Sequence, residues 1–359
     1  MIERALLLVV LLFHLPSWSV AQATDSSSAK VPLIKISGAT DVYYGFDFSQ
    51  PEDRNRQFTT QAYRHNEFNF DHGFLQGNYA TDRTRATFAV HTGTYVQANY
   101  AAEPNELTKL IMQANAGFRL AEKTWLDVGI LPSHIGYEST FSADNEIYTR
   151  ALMAENSPYY ETGAQLSHAF SEKLNAKLLL LNGWQNIHET NNAKSVAGGI
   201  YYDTGKLSLS YTNYFGNEAP DSLASRFRFL NNFNLKYIFN DRFSLGASAD
   251  YGRQKLIGSS TVGNWYSAMV LGKYQLFPKS FVSGRVEYYS DRKQVIVFTG
   301  TSNGFQTFSA TLNYNYEPVP GFLYRVEARG YQAKDAVFLG KDGSRKNNLL
   351  LVNSLAVKF

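Results

Sequence analysis

Apolar and polar residues take alternate places along most of this chain from Leu33 onward. In the first such segment Ile34, Ile36, Val42, Tyr44 and Phe46 share one face, while Lys35, Ser37, Asp41 and Asp47 share the other. The second sets Phe68 and Phe70 against Glu67, Asn69 and Asp71, and the third sets Phe88 and Val90 against Arg83, Arg85, Thr87 and His91. Later stretches repeat the rule. Leu207, Leu209, Tyr211 and Phe215 alternate with Ser208, Ser210 and Thr212, and Tyr324, Val326 and Ala328 alternate with Arg325, Glu327 and Arg329. A period of two turns successive side chains to opposite faces of an extended backbone, so each segment predicts a strand with one oily and one watery face.

Sixteen segments follow one another, at roughly 33–47, 64–80, 83–95, 108–120, 124–134, 158–170, 173–185, 195–203, 206–216, 226–239, 242–253, 263–277, 280–291, 305–317, 322–335 and 347–359. They are longer than ordinary strands, whose mode is about 5–6 residues, and suit tilted strands that need about 9–11 residues to cross hydrocarbon. The fourth is ambiguous, because Leu107–Ala116 also reads as helix. Tight turns at Thr81-Asp82, Ala121-Lys123, Ser171-Glu172, Asp203-Gly205, Asn240-Asp241, Pro278-Lys279 and Pro318-Gly321 alternate with polar stretches near 48–63, 96–107, 135–157, 186–194, 217–225, 254–262, 292–304 and 336–346. Short connections on one side and long ones on the other predict an all-β fold, a transmembrane up-and-down antiparallel barrel of about 16 strands with short periplasmic turns and long external loops.

Composition then adjusts the picture. Residues 1–23 read as a cleaved export signal, with Arg4, an apolar run from Ala5 to Leu15 and small residues at Ala21 and Ala23, leaving 24–359 as the barrel. No later run reaches the 18 apolar residues of a membrane helix. Hydrophobic residues are 44% and mean hydropathy is −0.30, values that a barrel produces because only every second side chain meets lipid. The 24 Tyr and 25 Phe suit interfacial girdles. There is no cysteine. A net charge of +3 is too small to point to nucleic acid. The final segment puts Leu349, Leu351, Leu355, Val357 and Phe359 on one side, resembling the terminal signal that barrels present to their assembly machinery. These readings together place the chain in the outer membrane of a Gram-negative bacterium, among lipid and lipopolysaccharide.

Barrels of sixteen to eighteen strands are too wide for side chains to fill. Too little chain precedes the first strand to form a plug, so an aqueous channel narrowed by loops is predicted. The longest connection, 135–157, is the third long loop and is expected to fold into the lumen. Its Glu138, Asp144, Glu146, Arg150 and Glu155, facing inward Lys236, Arg285, Arg325 and Arg329 on the wall, are the candidate constriction. An ordinary charged external loop is the bland reading of the same residues.

The stretch from Trp125 to Gln185 also resembles the β-barrel porin-2 (OmpL-like) family, through WLDVGILPSHIGYES (125–139), DNEIYTRALMAENSPYYETGAQL (144–166) and LLLNGWQNI (179–187), and the resemblance is dense over roughly 36–187 and thin afterwards. SGATDVYYGFDFSQP (37–51) and HTGTYVQANYAAEP (91–104) fit the same pattern. The resemblance implies an outer-membrane channel for ions and small hydrophilic solutes, with no catalytic residues to carry over and no cofactor. Ser133, His134 and Asp144 lie close in sequence without nucleophile–base–acid spacing, and His134 reads as a rim residue. The seven His show no metal-ligand spacing. Two rivals to simple diffusion stay open. One is a substrate-selective transporter that uses inward Tyr43, Trp125, Tyr201, Tyr214 and Trp265. The other is a structural or adhesive barrel whose loops bind an external partner. Association into homotrimers is an expectation from fold alone.

Overall fold

The computed structural model describes residues 33–359; the expected signal segment 1–23 lies outside them. The strands are β1 (Leu33–Asp47), β2 (Phe68–Ala80), β3 (Thr84–Thr92), β4 (Ile111–Ala121), β5 (Thr124–Pro132) and β6 (Tyr160–Ala169). There follow β7 (Leu174–Leu181), β8 (Ser195–Asp203), β9 (Leu207–Asn217), β10 (Phe227–Asn240), β11 (Phe243–Lys255) and β12 (Val262–Phe277). The chain ends with β13 (Ser280–Asp291), β14 (Phe305–Tyr316), β15 (Phe322–Ala333), a short hairpin of β16 (Phe338–Gly340) and β17 (Gly343–Arg345), and β18 (Asn347–Lys358). Each of the sixteen long strands pairs antiparallel with its sequence neighbours, and β18 returns to β1 to close the ring. Closure leaves no unpaired edge, which is the condition for placing strands in lipid.

The seam is finished by the last residue. Gly38 and Phe359 exchange two backbone hydrogen bonds of 3.0 Å, and the Phe359 ring lies where a Cβ on Gly38 would come within 2.6 Å. One irregularity interrupts the alternation. Asp41 faces His72 while Val42 faces Phe70, so Asp71 is the extra residue of a β-bulge. Beyond it Asp71 and His72 are both buried, and Phe74 turns inward to pack on Phe141.

The outer face is oily, with Ile36, Phe88, Phe118, Val270 and Leu312 more than half or about half exposed. Aromatic side chains crowd its two rims. Phe215 and Phe227 stack near the long-loop side, while Tyr237, Phe239 and Phe243 gather near the short-turn side. Both belts sit at the depths that lipid headgroups occupy. Among the described residues no helix is long and apolar enough to cross a membrane.

The fourth predicted segment is part helix and part strand. Asn105 caps one turn, α2 (Glu106–Lys109), by accepting from Leu107 and Thr108 N–H, and β4 begins two residues later. A second short helix, α1 (Thr94–Asn99), precedes it in the same loop.

Candidate functional site

The connection between β5 and β6 does not stand outside the barrel. It enters the lumen, where it forms a 3-10 turn (Ser142–Asp144) and a single helical turn, α3 (Leu152–Glu155). The wall receives it with small inward residues: a Cβ on Gly246 of β11 would come 2.3 Å from the Tyr137 hydroxyl oxygen.

Three carboxylates hold its backbone. Glu327 of β15 accepts N–H bonds from Tyr148 at 2.9 Å and Thr149 at 3.0 Å, and also the Thr149 hydroxyl. Glu138, on the loop itself, accepts from Ala151 N–H at 2.7 Å, and Glu287 of β13 accepts from Leu152 N–H at 2.6 Å. Arginines complete the fastening. Arg285 donates to Glu138 at 2.7 Å and to the Thr149 carbonyl at 2.9 Å. Arg329 donates to Glu287 at 2.6 Å, the Arg150 carbonyl at 2.7 Å and Ser309 at 3.0 Å. Arg325 donates to the Ser142 carbonyl and hydroxyl at 2.8 and 2.7 Å. The period of two explains the supply: Arg285 and Glu287, then Arg325, Glu327 and Arg329, occupy successive inward positions on strands separated only by β14.

At the base of the loop His134 sits between two acceptors, Glu161 at 2.8 Å from Nδ1 and the Asn213 carbonyl at 2.9 Å from Nε2. Both ring nitrogens then donate, which requires the imidazolium form. Burial opposes that charge, but the Glu161 carboxylate outweighs it and holds His134 above the ordinary imidazole range. His134 is therefore buried, 4% exposed, not the rim residue that its place at the end of a strand suggested; the inward course of the loop covers it.

The nine candidate residues fall into two groups. Glu138, Arg150, Arg285, Arg325 and Arg329 are buried in or beside the fastening, and Glu155 is taken up by Thr59, Thr60 and Tyr159 from another loop and its own. Asp144, Glu146 and Lys236 stay in contact with water, with Asp144 paired to Lys358 at 2.7 Å and Glu146 to Lys236 at 2.5 Å. Lys358 is a lumen residue that the sequence reading passed over, although its inward position in the final strand marked it. The expected aromatic positions Tyr43, Tyr214 and Trp265 are buried, and Trp125 lies under Arg85 at 4.3 Å.

A further feature escaped the sequence reading. The outer half of the lumen holds an apolar cluster in which Leu179, Leu181, Trp265, Tyr289, Phe305 and Tyr331 of the wall meet Phe338 and Val297 of the external loops and Ile135 and Leu152 of the inner loop. The signal was present at Leu178–Leu181, where apolar residues occupy both faces and alternation stops.

A closed sixteen-stranded barrel with an oily belt, two aromatic rims and a loop folded into its lumen defines an outer-membrane porin. The chain belongs to the family described as "Putative beta-barrel porin-2, OmpL-like", which it matches over residues 33–359. No curated protein sequence matches it. Among solved structures it is similar to an anion-selective porin from Comamonas acidovorans, with a TM-score of 0.62 at 12% identity over 92% of this chain and 100% of that one. The outer membrane channel DcaP of Acinetobacter baumannii superposes with a TM-score of 0.59 at 12% identity, over 94% of this chain and 100% of that one. Salmonella typhi OmpF, in complex with daunomycin, gives 0.56 at 13% identity, over 91% and 97%. Family and fold are those of channels of the Gram-negative outer membrane.

Proposed function

We propose that the inner loop is the constriction of a passive channel for ions and small hydrophilic solutes, and that the channel favours anions. The observation that carries this reading is the distribution of charge below the loop. Arg85, Lys236 and Lys358 are matched by Asp127, Glu146 and Asp144, while inward Lys35, Arg119, Lys177 and Lys273 outnumber the further lumen acids Asp203 and Glu317. A low-dielectric wall focuses such an excess into the water-filled space and raises the local concentration of anions. Reversal potential in a salt gradient across a planar bilayer tests the preference. A potential of cation-selective sign, or no ohmic current, would remove it. No residue is assigned a catalytic or cofactor-binding role in this reading.

The apolar cluster in the outer lumen favours a second reading, a channel selective for particular solutes. Liposome swelling with sugars of rising size separates the two, because a size cutoff alone means diffusion and saturable uptake means selection. Residues 1–23 are proposed to be removed on export, and the seam residue Phe359 to engage the assembly machinery. Contact with lipopolysaccharide at the outer rim, and assembly into a homotrimer, complete the proposal; the resemblance to trimeric porin folds supports the last.

A further inference from the structure

Beneath the inner loop, between it and the wall formed by β1, β2 and β4, lies a cavity of about 350 Å³. Three charged side chains line it: Glu138, Asp144 and Arg150. The two carboxylates are already committed, Glu138 to Arg285 and Asp144 to Lys358. Arg150 is not. It is 3% exposed, its Nη1 donates to the Ser139 carbonyl at 3.3 Å, and its Nε and Nη2 have no hydrogen-bond partner. The guanidinium is clamped over the Tyr159 ring, 3.6 Å from its centroid, with Tyr95 at 5.6 Å. Glu155 lies nearby: its Oε2 is used by Thr60 and Tyr159, its Oε1 accepts only from the Thr59 hydroxyl at 3.3 Å, and neither oxygen is hydrogen-bonded to Arg150.

A buried cation with two idle donors is costly unless something supplies an acceptor. Nε and one Nη of a guanidinium form the fork that receives a carboxylate on two parallel hydrogen bonds. Stacking fixes the plane of that fork, and because water does not reach Nε and Nη2 in this structure, the side chains around them must part slightly to admit an anion. The rest of the cavity is mixed in character. Gln76, Gln113 and Thr140 offer amides and a hydroxyl, while Phe74, Met112 and Phe141 offer an apolar wall.

We propose that this cavity is a binding subsite for a small organic monocarboxylate, with the carboxylate on Arg150 and an apolar or aromatic tail against Phe74 and Phe141. The subsite deepens the anion-channel reading and rests on it for its role in passage, though not for binding itself. Calorimetric titration of benzoate into the mature chain refolded in detergent measures binding without requiring current. Saturable binding that falls at least about tenfold in Arg150→Gln, in line with loss of one charge-assisted fork, supports the subsite. Retention of part of the affinity in Arg150→Lys supports it further. Absence of saturable benzoate binding, equal binding of uncharged benzyl alcohol, or unchanged affinity in Arg150→Gln would overturn it. Heat-modifiable migration in gels confirms that each variant has closed its barrel; if Arg150→Gln fails that check, Phe74→Asp replaces it and is expected to abolish benzoate binding, unchanged binding again overturning the idea. Concentration-dependent reduction of single-channel conductance by benzoate then tests passage separately. A protein that binds benzoate but carries no ohmic current would sink the channel reading and leave the subsite standing.

Discussion

Replacing Glu327 by alanine should release the inner loop while leaving the barrel closed. The Glu327 side chain is buried, and its carboxylate receives the N–H groups of Tyr148 and Thr149 at 2.9 and 3.0 Å. The alanine variant leaves both donors without an acceptor inside the wall. Each stranded buried donor costs about 1–3 kcal/mol, so the pair amounts to roughly 2–6 kcal/mol. Water in the adjacent lumen replaces part of the loss, which places the effect at the lower end, about 2 kcal/mol. A shift of that size changes the ratio of displaced to seated loop by about thirtyfold. The backbone of β15 pairs with β14 and β18 through main-chain bonds that do not involve this side chain, so heat-modifiability should be retained. Single-channel recordings of Glu327→Ala in planar bilayers should show frequent switching to a larger conductance level that the parent protein rarely visits. Glu327→Gln keeps one acceptor oxygen and should fall between the two. A correctly folded alanine variant whose amplitude and noise match the parent would show that the carboxylate clasp does not hold the loop.

Four other consequences follow from the same geometry. Converting Lys35, Lys177 and Lys273 together to glutamine should move the reversal potential toward the nonselective value, and an unmoved potential would locate selectivity elsewhere. Trp265→Ala, which removes the largest buried side chain from the outer apolar cluster, should raise conductance and speed the swelling of liposomes by larger sugars; equal rates would mean that the cluster does not obstruct the path. The His134 tie has a definite sign with pH. A raised folded-state pKa means that its stabilisation is complete below about 6.5 and is lost as pH rises through the raised value. His134→Gln should accordingly flatten the decline in thermal stability on the alkaline side, and an identical slope in both proteins would refute the imidazolium assignment. Gly38→Val should slow refolding by disturbing the seam with Phe359, with no change in rate as the contrary result.

The parts of the fold that were legible are those written in local repetition. Strands β1, β8 and β13 coincide with the segments read from alternation alone, because one residue of slip would turn every oily side chain to the wrong face. The segment at 108–120 was ambiguous for a physical reason. Leu107 lies within one capped helical turn that Leu110 closes, and the strand period begins only at Ile111. The β-bulge at Asp71 was hidden because its cause is the pairing of His72 with Asp41 and of Phe70 with Val42 on β1, and not anything in the run Phe68–Asp71 itself.

The lumen was harder to read than the wall, and the reason is hydration. Alternation states which side of the sheet a residue faces; it carries no information on whether water reaches that side. Arg285, Arg325 and Arg329 face inward as their parity requires, yet all are buried because a loop lies on them. The partners that make them so, Glu138 at 147 residues' separation from Arg285 and Ser142 at 183 from Arg325, are joined only once the ring closes. The loop's length and its acidic residues marked it as the element to watch, but the division of labour within it came from three-dimensional pairing. Buried arginines and glutamates fasten the backbone of residues 148–152 to the wall, so in the proposed channel Asp144, Glu146, Lys236 and Lys358, which remain in water, would join Lys35, Lys177 and Lys273 as the charges a passing ion meets. Neutralising a fastening arginine should therefore change gating noise, whereas neutralising a wet lysine should change selectivity. A variant series in which both kinds of substitution gave the same phenotype would contradict that separation.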